Sequence, residues 1–204
     1  MYDRNGRYEK LYQYLRQAKP KRHKLYSRKS HKFPIVERIS IHERPIIVGE
    51  RKRYGDWESD SVIFRKQKTA LSVQSERKSK LIRMHKVVNK TAEETKYALI
   101  KTIESLPSEM FKTITFDNGG EGSKHTEIRK EYDIETYFCD PFASWQKGGV
   151  ENANKLIRQY LPRSTDLSKL TDRDIYDIQE KLNNRPRKCL NYKSSNEIIN
   201  EVVH

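Results

Sequence analysis

The sequence predicts an α/β domain behind a basic N-terminal extension, and three observations carry this. Segments 57–64, 69–75 and 81–88 are short, contain Val, Ile, Leu and Phe, and are separated by charged turns, the pattern of an antiparallel meander. From residue 91 onward, helix-patterned and strand-patterned stretches alternate. Charge is unevenly placed: residues 1–55 hold 16 Lys/Arg against 5 Asp/Glu, a net +11 out of +14 for the chain. Residues 1–50 are therefore read as a basic arm and linker, and residues 51–204 as the domain.

The chain has 204 residues, enough for one domain with a real core and an extension. Hydrophobic and charged residues each make up 34%, so the surface is large and polar. A net charge of +14 speaks to partners rather than to fold, and nucleic acid is the expected polyanion. The two cysteines, Cys139 and Cys189, have no CxxC or Cys/His spacing, which argues against a disulfide framework or structural zinc site and for reduced thiols. No apolar run approaches the length of a membrane span and the N-terminus has no apolar signal region, so a cytoplasmic protein without a membrane partner is expected.

The elements follow in order. Residues 2–17 have Tyr and Leu on one side of a possible short helix, and residues 18–32 form an unpatterned basic linker. Pro34 and Pro45 break residues 33–54 into extended or short helical pieces. After the meander, residues 91–106 read as a helix. Thr91 and Glu94 form a capping box, Leu99, Ile103 and Leu106 an apolar stripe, and Pro107 follows the end. A strand at 112–116 runs into Asp-Asn-Gly-Gly. A helix near 125–131, a strand near 135–139, a loop at 140–149 and helices at 150–160, 172–184 and 196–203 complete the chain.

Three acids stand out. Asp117 sits where a strand meets a tight turn. Turn chemistry alone accounts for it, and a strand-end carboxylate is also well placed to face a site. Glu151 lies in the first turn of its helix, where an acid complements the helix dipole. Val150, Ala153, Ile157 and Tyr160 share the core side of that helix. Glu151, Asn154, Lys155 and Arg158 share another side, so the acid stands among residue types that contact phosphate. If residues 57–64 form a strand, Glu58 and Asp60 point to one face and Trp57, Ser59 and Ser61 to the other; otherwise Asp60 belongs to a polar loop. Converging carboxylates beside a basic surface suit phosphodiester chemistry, in which hard oxygens hold two divalent ions about 3.5–4 Å apart.

Several words are more specific than the acids. GDWESD (55–60), TFDNGGEGSKH (115–125), PFASWQKGGVENANKLIRQYLPRSTDL (141–167) and LNNRPRKCLNYKSSNEI (182–198) resemble those of the IS-thirty family of bacterial insertion-sequence transposases over about residues 8–200. Asp60, Asp117 and Glu151, with 33 residues between the last two, resemble its D,D,E set. The resemblance implies an RNase H-like, integrase-type fold, a five-stranded mixed sheet flanked by helices. It implies Asp60, Asp117 and Glu151 as catalytic ligands of two Mg²⁺ or Mn²⁺ ions. It implies cleavage of double-stranded DNA at transposon ends, transfer to target DNA, and a homo-oligomer on DNA in the bacterial nucleoid. Asn118, His125, Asn152 and Arg158 match family positions beside the site and are expected to contact DNA or water.

Ser59 stands where the family has Gly, Gly122 where it has Phe, and Lys155 where it has Gly. Family members begin with a helix-turn-helix that reads the element ends. The words found here start after such a region, so a truncated or split gene or a fragment is expected. A second reading follows, a non-catalytic DNA-binding remnant that competes with an intact transposase. The N-terminal tyrosines lack the Arg/His/Arg setting of a tyrosine recombinase and are read as packing residues. Trp57 and Trp145 are read as anchors, with base stacking open for Trp145. Arg185, Arg187, Lys188 and Lys193 form a late basic cluster that is either a solvated loop or a phosphate contact.

Overall fold

The computed structural model describes residues 35–203 apart from Phe142. The chain divides into a unit at Met1–Lys32 and a unit at Phe33–His204. The helix expected at 2–17 and the linker at 18–32 lie outside the described residues.

The meander forms as expected: β1 (Asp56–Ile63), β2 (Ala70–Glu76) and β3 (Ile82–Val87) are antiparallel neighbours. β4 (Thr113–Phe116) adds parallel to β1, and β5 (Glu135–Phe138) parallel to β4, giving a five-stranded mixed sheet in the order β3-β2-β1-β4-β5. The central strands are buried on both faces, so a strand as charged as DWESDSVI has to pair its acids internally.

Helices cover both faces. On one, α4 (Gly148–Tyr160) and α5 (Asp172–Asn183) pack Val150, Ala153, Ile157, Ile175 and Leu182 on Val62, Val73 and Met84. On the other, α2 (Ala92–Glu104), α3 (His125–Tyr132) and α6 (Ser195–Val203) pack around Trp57, Ile114 and Phe138. Trp57 is a core anchor, stacked on Phe111 with its indole N–H donating to the Met110 carbonyl at 2.7 Å. Tyr160 departs from the expected core side of α4: it is exposed, and Leu161, where the helix ends, fills the core instead. At α2 only half of the capping box forms. Thr91 accepts from the Glu94 N–H, but the Glu94 carboxylate turns to the Val88 N–H.

Residues 35–50, read from sequence as part of the basic arm, hold two Arg against three Glu and pack on the domain. They include α1 (Ile46–Glu50), with Val48 fully buried. The Phe138 N–H donates to the Ile39 carbonyl at 2.9 Å, and Arg38 donates to the Cys139 carbonyl at 3.1 Å.

β3 is an edge strand, and α5 closes it with side-chain amides. Asn183 accepts from the Ile82 N–H at 2.9 Å and donates to the Ile82 carbonyl at 2.8 Å. Gln179 accepts from the Met84 N–H at 2.8 Å. Four residues of helix rise about 6 Å and two of strand about 6.6 Å, so residues 179 and 183 match residues 84 and 82. The exposed ladder that would otherwise invite another strand is thereby paired.

Candidate active site

Two of the acids belong to neighbouring strands, Asp60 to β1 and Asp117 to the turn that follows β4. The parallel register of β1 and β4 pairs Glu58 with Thr115. The ladder stops there: Asp60 lies two residues further along β1, and Asp117 directly follows Phe116, the last residue of the neighbouring β4. Asp117 is half-buried, and its Oδ1 accepts from the Gly119 N–H at 2.7 Å, which closes the Asp-Asn-Gly turn.

The third acid arrives on α4, which packs against β1. Asn154 donates to Asp60 Oδ2 at 2.8 Å. The Val150 N–H donates to Glu58 Oε2 at 2.8 Å. Glu151 lies between these two ties to β1, half-buried on the helix side that carries Asn154. Just before α4, the buried Lys147 ammonium donates to the Ser59 carbonyl at 2.9 Å and to Asp60 Oδ1 at 3.3 Å. Both Asp60 oxygens are thus engaged by residues leading into or within α4. The loop before Lys147 is braced by Gln146, which accepts from the Asp140 N–H and donates to the Asp140 carboxylate, both at 2.8 Å. Trp145 on that loop is 74% exposed and anchors nothing in the core.

Among the described residues, no three His, Cys, Asp or Glu side chains stand close enough together to hold a metal ion. The donor chemistry nevertheless fits a hard divalent cation. Asp60 lies on β1 and Asp117 just past the end of the neighbouring β4, and Mg²⁺ commonly takes one or two carboxylates and keeps waters elsewhere. Asn154 Oδ1 is buried with no hydrogen-bond partner, an oxygen acceptor left open beside Asp60.

The other expected contact residues divide. His125 is a correction: it was expected beside the site but is buried in the sheet's other layer. Its Nδ1 meets Thr136 Oγ1 and its Nε2 the Val36 carbonyl, both at 2.8 Å, so neither nitrogen is left for DNA. Burial also pulls its pKa below the ordinary value. Asn118 donates to the Cys139 carbonyl, tying the turn to the end of β5. Arg158 donates to the Ile63 carbonyl at 2.5 Å and lies over the Phe64 ring, and Asn154 serves Asp60. Asn152 and Lys155 are exposed on α4, and Arg185 and Lys188 are exposed in the late cluster. Arg187 is half-buried and donates to the Leu182 carbonyl at 3.1 Å, while Lys193 pairs with Glu201. Glu58, Arg77 and Lys147 were not singled out from sequence. The one available signal was that Glu58 shares the Asp60 face of a strand.

The same fold occurs in retroviral integrase cores. The BIV integrase catalytic core matches with a TM-score of 0.59 at 19% identity, over 74% of this chain and 96% of that one. The HTLV-2 integrase catalytic core, solved with magnesium, matches at 0.54 and 22% identity, over 71% and 95%. This is the RNase H-like fold. The sequence relatives are insertion-sequence transposases. The IS4351 transposase of Bacteroides fragilis is 37% identical over 96% of this chain, and the InsI transposase of IS30A from Escherichia coli is 37% identical over 94%. The IS1086 transposase of Cupriavidus metallidurans is 35% identical over 93%. The chain is homologous to the IS30 family of transposases. No protein-family model matches it. The chain spans 50–60% of the length of these three relatives.

The family words fall around the site. GDWESD supplies β1 with Glu58 and Asp60, TFDNGG the turn after β4, and the long third word the braced loop and α4. The glycine at 122, one of the departures noted from the resemblance, leaves no hole. A Cβ there would lie 2.8 Å from the Phe138 ring and 3.1 Å from Phe116.

Proposed function

We propose that this chain is the catalytic core of a DNA transposase. It hydrolyses a phosphodiester at an element end and joins the freed 3′-hydroxyl to target DNA. The observation that carries this is the tie of the helix bearing Glu151 to Asp60 through Asn154, on the strand beside the one that leads to Asp117, in a chain whose relatives are transposases. The kinship also disfavours the non-catalytic remnant.

Asp60, Asp117 and Glu151 would hold Mg²⁺ or Mn²⁺, which supplies Lewis-acid activation of the attacking oxygen and charge stabilisation at the leaving one. The chain's own residues prepare the site. Lys147 and Asn154 fix the orientation of the Asp60 carboxylate, and Lys147 supplies positive charge where DNA phosphate approaches. Asn152, Lys155, Arg185 and Lys188 are free to reach the phosphate backbone, and Arg158 and Arg187 add positive potential from half-buried positions. A homo-oligomer on double-stranded DNA fits a reaction that joins two element ends to one target.

The test is a nicking and joining assay on duplex DNA carrying element ends. Asp60→Asn, Asp117→Asn and Glu151→Gln should each reduce both steps to background while DNA binding persists or tightens, because each removes a negative charge facing a polyanion. Excess EDTA should stop the wild type. Near-normal rates in any one variant would remove that residue from the ligand set.

A further inference from the structure

A buried carboxylate stands two residues before Asp60 on the same face of β1. Glu58 is 0% exposed, and its two oxygens serve different partners. Oε1 pairs with the guanidinium of Arg77. Oε2 accepts the Val150 N–H in the first turn of α4, one residue before Glu151, at 2.8 Å. Arg77 is 4% exposed and is held from its other side, where Nε donates to the Val48 carbonyl at 3.1 Å. The helix comes as close as glycine allows: a Cβ on Gly149 would lie 2.9 Å from Glu58 Oε2 and 3.3 Å from its Cδ.

A buried carboxylate is costly unless it is both paired and hydrogen-bonded, and Glu58 is both. The opening N–H groups of a helix need outside partners. The residue before α4, Lys147, makes no side-chain cap bond, so this helix takes an anion from the neighbouring strand instead. A local Ser or Asp cap would satisfy the N–H equally well without tying the helix to the sheet. The second tie, Asn154 to Asp60, uses a carboxylate assigned to the chemistry and is lost whenever Asp60 turns to another partner. The Glu58 tie is not.

We propose, on the reading of Asp60 and Glu151 as ligands given above, that Glu58 is a positioning residue. Clamped by Arg77, it pins the first turn of α4 to β1 and so sets where Glu151 stands relative to Asp60. Gly149 is part of the device, because any side chain there would push the two apart.

The test compares the wild-type chain with Glu58→Gln, Gly149→Ala and the double variant Glu58→Gln/Arg77→Met. The Glu58→Gln side chain keeps the same shape, but its amide group meets either the Arg77 guanidinium or the Val150 N–H, donor against donor. Backbone hydrogen exchange at residues 150–152 should quicken by about tenfold or more in Glu58→Gln, with α5 unchanged. Single-turnover strand cleavage should fall by about tenfold or more, with DNA affinity unchanged, as expected when reacting groups are misplaced rather than removed. Adding Arg77→Met removes the competing guanidinium and lets the amide carbonyl at position 58 turn to Val150, so the double variant should recover protection and part of the rate. If Glu58→Gln loosens the whole domain, Gly149→Ala decides, since it disturbs the same contact and leaves the buried charges in place. Unchanged exchange at 150–152 overturns the proposal, and so does faster exchange with an undiminished cleavage rate. If the wild type does not cleave DNA, the catalytic reading fails. The exchange measurements then still decide whether Glu58 pins α4.

Discussion

At the scale of single residues, what decides a role is which atoms are already engaged. Asp60 and Glu58 differ by two positions on one strand face and each has both oxygens bonded, yet Glu58 is sealed between Arg77 and a peptide N–H while Asp60 stays half-exposed. Cys139 is likewise settled by its surroundings, since burial pushes its thiol up to about 11 and leaves it unreactive at neutral pH. Gly122 is set by the two rings that crowd it. Gly122→Ala should destabilise the domain by about 1–3 kcal/mol, because the new methyl must displace Phe138 or Phe116 from a packed core. Urea unfolding measures this; no change in midpoint would mean that the rings yield freely.

At the scale of elements, the side-chain amides of α5 complete the hydrogen bonding of β3. Asn183→Leu would leave the N–H and carbonyl of Ile82 unpaired in a buried place, at a cost of roughly 2–4 kcal/mol. Faster amide exchange confined at first to Ile82 and Met84 would mark the opened edge. The other side of β3 makes stability depend on pH. His85 is lowered to about 4, first by burial, then by the Lys101 and Arg83 charges. Its Nε2 meets Thr102 Oγ1 at 2.8 Å. An unfolded chain would take up this proton near pH 6.5 and the folded one only near pH 4. Stability is therefore whole above about pH 6.5 and falls as pH drops toward 4. In His85→Gln that part of the acid loss should vanish from a plot of unfolding free energy against pH.

At the scale of the molecule, charge separates from catalysis. The acids proposed for the chemistry lie beyond residue 55, while +11 of the +14 lies before it. An arm of that kind neutralises phosphates and releases counterions, so DNA affinity should fall steeply with salt. Deleting residues 1–32 should weaken binding and flatten the slope of log affinity against log salt, leaving Asp60, Asp117 and Glu151 untouched. A salt titration with and without the arm reads this directly; equal slopes would mean that the domain surface carries the contacts.

Much of the fold was legible in the sequence because strand and helix patterns are local. The meander, the 91–106 helix with its Thr91 cap and the helix after Gly149 lie within a few residues of their expected places. The words around Asp60, Asp117 and Glu151 pointed to the fold and the family for the same reason: each word holds one element and its turn. What the sequence could not decide was where side chains end. His125 looked like a site residue and is held in the core by Thr136 and Val36, 11 and 89 residues away in the chain. Lys147 and Glu58 looked like ordinary charges and became the partners of Asp60 and of the α4 N-terminus across 87 and 92 residues. Residue types and local periodicity determined the elements and the chemistry available. Only the tertiary structure decided which charges were sealed inside the protein and which were left exposed at its surface, because burial and pairing depend on neighbours that the chain brings together only when it folds.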